Sequence, residues 1–203
     1  MKIIPRDKVK NYSLPLPLYE SLHIADAIAR DGSEFDLLVG LDRQGAEKLR
    51  ERALDDSDNA LQDFTGDRQR FVESTYESWY EKNRTIFALV HKQSDDLAAV
   101  IWFGPKPLGK KSPKFGQDDG QKEDSEWHTI SFRSYPQYRG KGMMKNFSEY
   151  VTDIYKRYFP RAKLWTGTDD RNTAFIRLIT SLGFSVDEES SDLVAHWLIL
   201  KKI

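Results

Sequence analysis

Between an apparent strand, Trp127–Ser134, and an amphipathic helix, Met143–Phe159, the chain carries Gln137, Tyr138, Arg139, Gly140, Lys141 and Gly142 in succession. Two glycines one residue apart free the backbone to turn sharply and to approach a ligand closely. A helix starting just beyond them points its unpaired N–H groups and the positive end of its dipole into that turn. Arg139 and Lys141 add positive charge at the same place. Bend, bare amides and cations together favour a phosphate or pyrophosphate over a neutral ligand. A dinucleotide fingerprint needs a further glycine three residues after Gly142, where Lys145 stands. A nucleotide P-loop needs Gly-Lys-Ser/Thr after four residues, and that pattern does not occur around Gly140.

A second segment lies downstream. Asn172 opens a run in which Ala174, Phe175, Leu178, Ile179 and Leu182 recur at three- and four-residue steps, giving one apolar helical face. Gly183 follows where a helix needs a left-handed terminating residue, and Phe184 follows it. Gln137, Gly140 and Gly142 match the Gln/Arg-x-x-Gly-x-Gly/Ala acyl-CoA motif of the GNAT N-acetyltransferases position by position. The Asn-led helix ending in Gly-Phe resembles the late segment of that family. The order of strand, glycine turn, helix, strand (Ala162–Thr168) and Asn-led helix is also the family's order. The resemblance covers residues 127–184 and is loose before residue 85.

The remainder of the chain agrees with that class. A length of 203 residues buries a sizeable core and predicts one domain, 1–203, with 1–34 as an irregular lead-in interrupted by Pro15 and Pro17. A net charge of −1 gives no general attraction to nucleic acid or to an anionic membrane surface, so neither is expected as a partner. The absence of cysteine excludes disulfides, thiolate catalysis and cysteine-based metal sites. No apolar run approaches the roughly 20 residues of a membrane span. The N-terminus lacks the apolar core of a secretory signal, so a cytoplasmic location is the expectation.

Strands are expected at Phe35–Leu41, Ile86–His91, Leu97–Phe103, Trp127–Ser134, Ala162–Thr168 and Leu193–Leu200, and helices at Gln44–Leu54, Asp67–Lys82, Met143–Phe159 and from Asn172. Gly104–Ser125, lysine-rich and then acidic, stands apart as a long charged loop, read either as a solvated hairpin tip or as a lid or partner contact. The expected fold is a single α/β domain with a mixed central sheet of about six or seven strands and helices on both faces. The resemblance implies that this sheet is splayed at its centre.

The resemblance implies direct transfer of an acetyl group from acetyl-CoA to a primary amine of a small molecule or peptide, with no metal. It places the donor against the backbone of Phe132, Arg133 and Ser134, the turn Gln137, Tyr138, Arg139, Gly140, Lys141 and Gly142, and Met143 and Asn172. Asn172 also suits a helix N-terminus, where its side chain accepts from backbone amides. Glu126 and His128 are the candidates for removing the amine proton. They are two residues apart and so share one side of a strand. His128, with an ordinary pKa of about 6.5, suits a proton relay near neutrality. The family's general-acid Tyr, seven residues after the Asn, is replaced here by Ile179, and Tyr135 beside the turn and Ser134 are candidate substitutes. That departure keeps open a second function class, an acyl-CoA-binding or sensing module without transfer. A third is an interaction protein acting through the charged loop. Trp79, Tyr80, Trp102 and Phe103 line either an acceptor pocket or the core.

Overall fold

The computed structural model describes residues 1–6, 12–109 and 126–203. Nine strands are present among the described residues: β1 (Lys2–Pro5), β2 (Leu22–Ile28), β3 (Glu34–Val39), β4 (Thr85–His91), β5 (Asp96–Pro105), β6 (Trp127–Ser134), β7 (Lys163–Asp169), β8 (Ser185–Val186) and β9 (Trp197–Lys202). They form one sheet in the order β1-β2-β3-β4-β5-β6-β7-β9-β8. Burial follows position in that sheet. β3 alternates between buried and more exposed residues, whereas Thr85–Leu89 of β4 and Leu97–Gly104 of β5 are buried without a break. Central strands covered on both faces read as continuous apolar runs, which is why β4 and β5 were plain in the sequence.

The helices are α1 (Arg43–Leu54), α2 (Asn59–Phe64), α3 (Asp67–Glu73), α4 (Tyr76–Tyr80), α5 (Met144–Tyr158) and α6 (Thr173–Ser181). Side chains alternate across a strand, so neighbours on β5 report opposite faces. Trp102 meets Trp79 of α4 edge-on at 5.5 Å, whereas Phe103 stacks on Tyr155 of α5 at 4.2 Å. α4 and α5 therefore cover opposite faces, as expected. Trp79, Tyr80, Trp102 and Phe103 are all buried core. On α5 the buried residues Phe147, Val151, Ile154 and Tyr155 form one stripe at helical spacing.

Pairing is antiparallel from β1 to β6, but β6 and β7 run parallel, joined through α5. Their ladder is short, covering Trp127↔Lys163, His128↔Leu164 and Thr129↔Trp165. Past that point β6 stays on β5 as far as Ser134↔Ala99, and β7 stays on β9 as far as Asp169↔Trp197. A gap therefore opens between residues 130–134 and residues 166–169, closed at Thr129 and leading toward the glycine turn. This is the expected splay.

Several boundaries differ from expectation. Among the described residues the sheet has nine strands rather than six or seven, because the lead-in contains β1 and β2, and the two-residue β8 adds an edge. In β2 the core is filled by Ile24, Ala25 and Ala27, and alanines give little strand signal. The run Asp67–Lys82 is two helices. Ser74 ends α3, and Thr75 starts α4 by accepting from the Ser78 N–H while Ser78 bonds back to Thr75. β9 begins at Trp197, because His196 adopts φ +56° in a turn closed by Asp192 and Trp197. Residues 110–125 of the charged loop lie outside the described residues, while Gly104 and Pro105 complete β5. Among the described residues no helix is long and apolar enough to cross a membrane.

Candidate functional site

The wall of the gap is set by backbone polarity. The Tyr135 N–H donates to Ala98 O on β5 at 3.1 Å. Peptide groups alternate sides along a strand, so those of Arg133 also face β5, and those of Phe132 and Ser134 face the gap. Their carbonyls are occupied: Arg133 Nη1 donates to Phe132 O at 2.6 Å and Arg139 Nε to Ser134 O at 2.7 Å. Their N–H groups have no partner strand, because the β6–β7 ladder stops at Thr129. Two aligned donors thus line an open edge inside a sheet. Buried backbone donors are seldom left unpaired, and these suit an extended ligand with amide carbonyls.

The gap ends at the turn. Pro136–Tyr138 form one short 3-10 turn, and the chain then reverses through Gly140 at φ +76° and Gly142 at φ +68°. Residues other than glycine seldom adopt that conformation. A Cβ on Gly140 would meet nothing within 4 Å, so the turn faces open space. α5 starts directly after Met143, which is buried, with no side-chain cap and no acidic residue in its first turn. Its first N–H groups are uncapped and its dipole is unopposed, which favours an anion.

The cations expected at this turn have other partners. Arg139 places Nη1 and Nη2 at 2.7 and 2.6 Å from the two oxygens of Asp58, a carboxylate 2 % exposed. Arg133 bonds Asp67 through Nε and Nη2, and Asp67 also takes Arg70. Arg133 is therefore a half-buried strut on the α3 face and not a free phosphate contact. Arg139 acts through position: its fork ties Ser134 to the N-terminus of α2 and fixes the shape of the turn. Lys141 keeps a looser pairing, 3.0 Å from Asp31 with both side chains partly exposed. Gln137 is exposed, whereas Tyr138 is buried edge-on against Phe35 at 5.8 Å and is a packing residue. Asp58 and Asp67 went unnoticed in the sequence, since nothing local links them to arginines 81 and 66 residues away.

The catalytic candidates separate clearly. Glu126 is exposed at the end of β6 remote from the turn, with Lys163 Nζ 3.0 Å from its carboxylate. His128 points to the α5 face, with Nδ1 2.6 Å from the Tyr155 hydroxyl and its ring against Phe159. Burial lowers its pKa below 6.5, and the charges of Lys156 and Arg84 act the same way. Tyr135 is 1 % exposed, and burial, aided by Asp67, pushes its hydroxyl well above the usual phenol range. A phenol enclosed in this way has no route to a leaving group in the gap. Tyr155, which holds the His128 ring, was missed because its place on α5 reads as core.

α6 completes the mouth. Asn172 caps it, accepting from the Phe175 N–H at 3.3 Å, and Gly183 ends it at φ +86°. Phe175 meets Phe132 edge-on at 5.3 Å across the gap. Ile179 and Leu182 are buried, but Ala174 is exposed, so the helical face is covered only at its C-terminal end. Elsewhere His23, Asp26 and Asp36 bring ligating atoms within 4.8 Å of one another. Lys92 lies 2.7 Å and Arg6 3.2 Å from Asp26, so protein cations already answer that cluster.

No family model and no curated protein matches the chain. Solved structures do match it in fold. The GNAT domain of S. lividans PAT is 13% identical with a TM-score of 0.57, covering 87% of this chain and 94% of its own. A putative GnaT-family acetyltransferase from Bordetella pertussis is 11% identical with a TM-score of 0.58, covering 88% and 99%. The ribosomal-protein-S5-alanine acetyltransferase from Vibrio fischeri is 13% identical with a TM-score of 0.56, covering 82% and 92%.

Proposed function

We propose that this chain, which has the fold of the GNAT acetyltransferases, moves an acetyl group from acetyl-CoA to a primary amine by direct transfer. The observation that carries this reading is the gap itself. It is a polar slot inside a sheet, with unpaired N–H groups along one wall, ending at an uncapped helix and two glycines of positive φ. An elongated ligand with amides along its length and a pyrophosphate at one end matches that sequence of donors. Acetyl-CoA would supply an activated thioester carbonyl and a good leaving group.

The chain's own residues would then divide the work. The N–H groups of Phe132 and Ser134 receive the amide-bearing arm. Gly140, Gly142 and the first turn of α5 hold the pyrophosphate, with Lys141 as the adjacent cation. Arg139 fixes the turn through Asp58, Met143 and Tyr138 anchor it in the core, and Asn172 stands at the mouth. His128, neutral and oriented by Tyr155, lies one residue behind the closed end of the gap and accepts the amine proton.

A second reading, an acyl-CoA-binding module without transfer, is favoured by one feature. Ile179 is fully buried and supplies no acid. The test is release of free thiol on incubation with acetyl-CoA and a panel of primary amines. Because the protein has no cysteine, a thiol reagent reads only the released CoA. Amine-dependent release supports transfer. Saturable donor binding without release from any amine supports the binding module.

A further inference from the structure

The sheet face that carries α3 and α4 holds an excess of half-buried cation beside the closed end of the gap. The pairs Trp102↔Ser131, Gly104↔Thr129 and Thr129↔Trp165 set these residues on one face, and Arg133 follows by alternation. Arg70 and Arg133 both bond the single carboxylate of Asp67, and their guanidinium carbons stand 5.8 and 4.6 Å from the Trp102 ring. Arg84, just before β4, extends over Gly104. A Cβ on Gly104 would lie 2.6 Å from Arg84 Nη1 and 2.8 Å from its Cδ. The missing side chain is what gives Arg84 its place.

Arg84 has no answer to its charge. Its Nε and Nη1 are buried without a hydrogen-bond partner, and no carboxylate pairs with it among the described residues. Burial lowers its pKa, and the charge of Arg70 acts in the same direction. Two guanidiniums thus share Asp67 and the third, Arg84, pairs with no carboxylate among the described residues, a local excess of two positive charges. Buried donors without partners are rare and costly, and a guanidinium fork matches a carboxylate. The floor beneath is half-buried and polar, with the hydroxyls of Thr129 and Ser131. Thr129 is also the last residue before the gap opens, so an anion on Arg84 would sit one strand from the gap's closed end.

We infer that the acceptor amine carries a carboxylate, which Arg84 binds over Gly104 with Arg70 and Arg133 behind it. The amine end of this statement rests on the transfer reading above, with the acceptor spanning the closed end of the gap so that its amine lies toward His128 on the α5 face and its carboxylate toward Arg84 on the other; the carboxylate end stands on the arginine cluster alone. A free amino acid and the C-terminus of a peptide present the same group, so the test includes both.

The experiment follows the Arg84 Nε–H signal by NMR in arginine-labelled protein, assigned by its loss in Arg84→Lys. Each ligand is titrated beside its methyl ester: amino acids in one arm, short peptides in the other. The acids are expected to shift the signal saturably and to bind roughly 10–100-fold tighter than their esters, the scale of a hydrogen bond between charged groups. The arm with the larger preference identifies the source of the carboxylate. In Gly104→Ala the new methyl displaces Arg84, and the preference for acid over ester is expected to collapse. Equal shifts by acids and esters, or no shift from any acid, would overturn the inference. The ester comparison uses the native protein, so it holds even if a variant fails to fold. A separate titration with acetyl-CoA distinguishes the two claims. Acid-specific shifts without donor binding would uphold the carboxylate site and defeat the transfer reading alone.

Discussion

His128 owes its chemistry to its neighbours. Tyr155 and Phe159 hold the ring, and burial keeps its pKa below 6.5. A folded-state pKa depressed below the unfolded value means that the unfolded chain binds more protons as pH falls. The stability linked to a neutral His128 is therefore present above about pH 6.5 and is lost progressively below it. An NMR titration is expected to place the His128 pKa under 6.5, and His128→Gln to flatten the acid-side fall in stability. If His128 is the proton acceptor, the same substitution lowers kcat by roughly 10²-fold or more, the usual scale of general base catalysis. A pKa above 6.5, or unchanged turnover in His128→Gln, contradicts these assignments. Arg139 offers a second test at this scale. Arg139→Met removes both guanidinium bonds from buried Asp58, which keeps the Leu61 N–H, and the expected loss in urea unfolding is roughly 1–3 kcal/mol. A loss below 1 kcal/mol would mean that the fork does not hold the turn.

Among the elements, those that build the gap were the most legible in the sequence. β6, α5, β7 and α6 each carry a period, and Gly140, Gly142, Asn172 and Gly183 mark their ends through backbone needs that few residues meet. β2 was hidden because Ala25 and Ala27 carry little apolar signal, and the α3–α4 break because Thr75 and Ser78 act through a local cap inside an apparently continuous run. The site was legible to the same depth. The glycine turn declared itself, but the partners of Arg133 and Arg139 lie on α3 and at the start of α2, and only the folded chain brings them together. α6 provides the element-scale test. Ile179→Tyr restores a phenol at the position the family resemblance points to, yet Ile179 is fully buried. Overpacking there is expected to cost about 1–3 kcal/mol without raising the transfer rate. A faster enzyme would show that the α6 face opens toward the donor.

For the molecule as a whole, one departure from a regular sheet organises everything else. β6 and β7 part after Thr129 while each keeps its outer neighbour, so the split costs two ladders nothing and exposes one edge of β6 inside the fold. A ligand seated there bonds the native state only, and acetyl-CoA is expected to raise the unfolding temperature in a concentration-dependent manner. A midpoint indifferent to donor concentration would argue that the split is not a binding site. The most direct measurement is calorimetric titration with acetyl-CoA and, separately, with CoA, on the native protein and on the Gly140→Glu/Gly142→Glu variant. Saturable binding of both ligands to the native chain, absent from a variant that still folds, is the result expected. No binding to the native protein at millimolar ligand, or undiminished binding to the folded variant, would contradict the assignment of this gap and turn as the acyl-donor site.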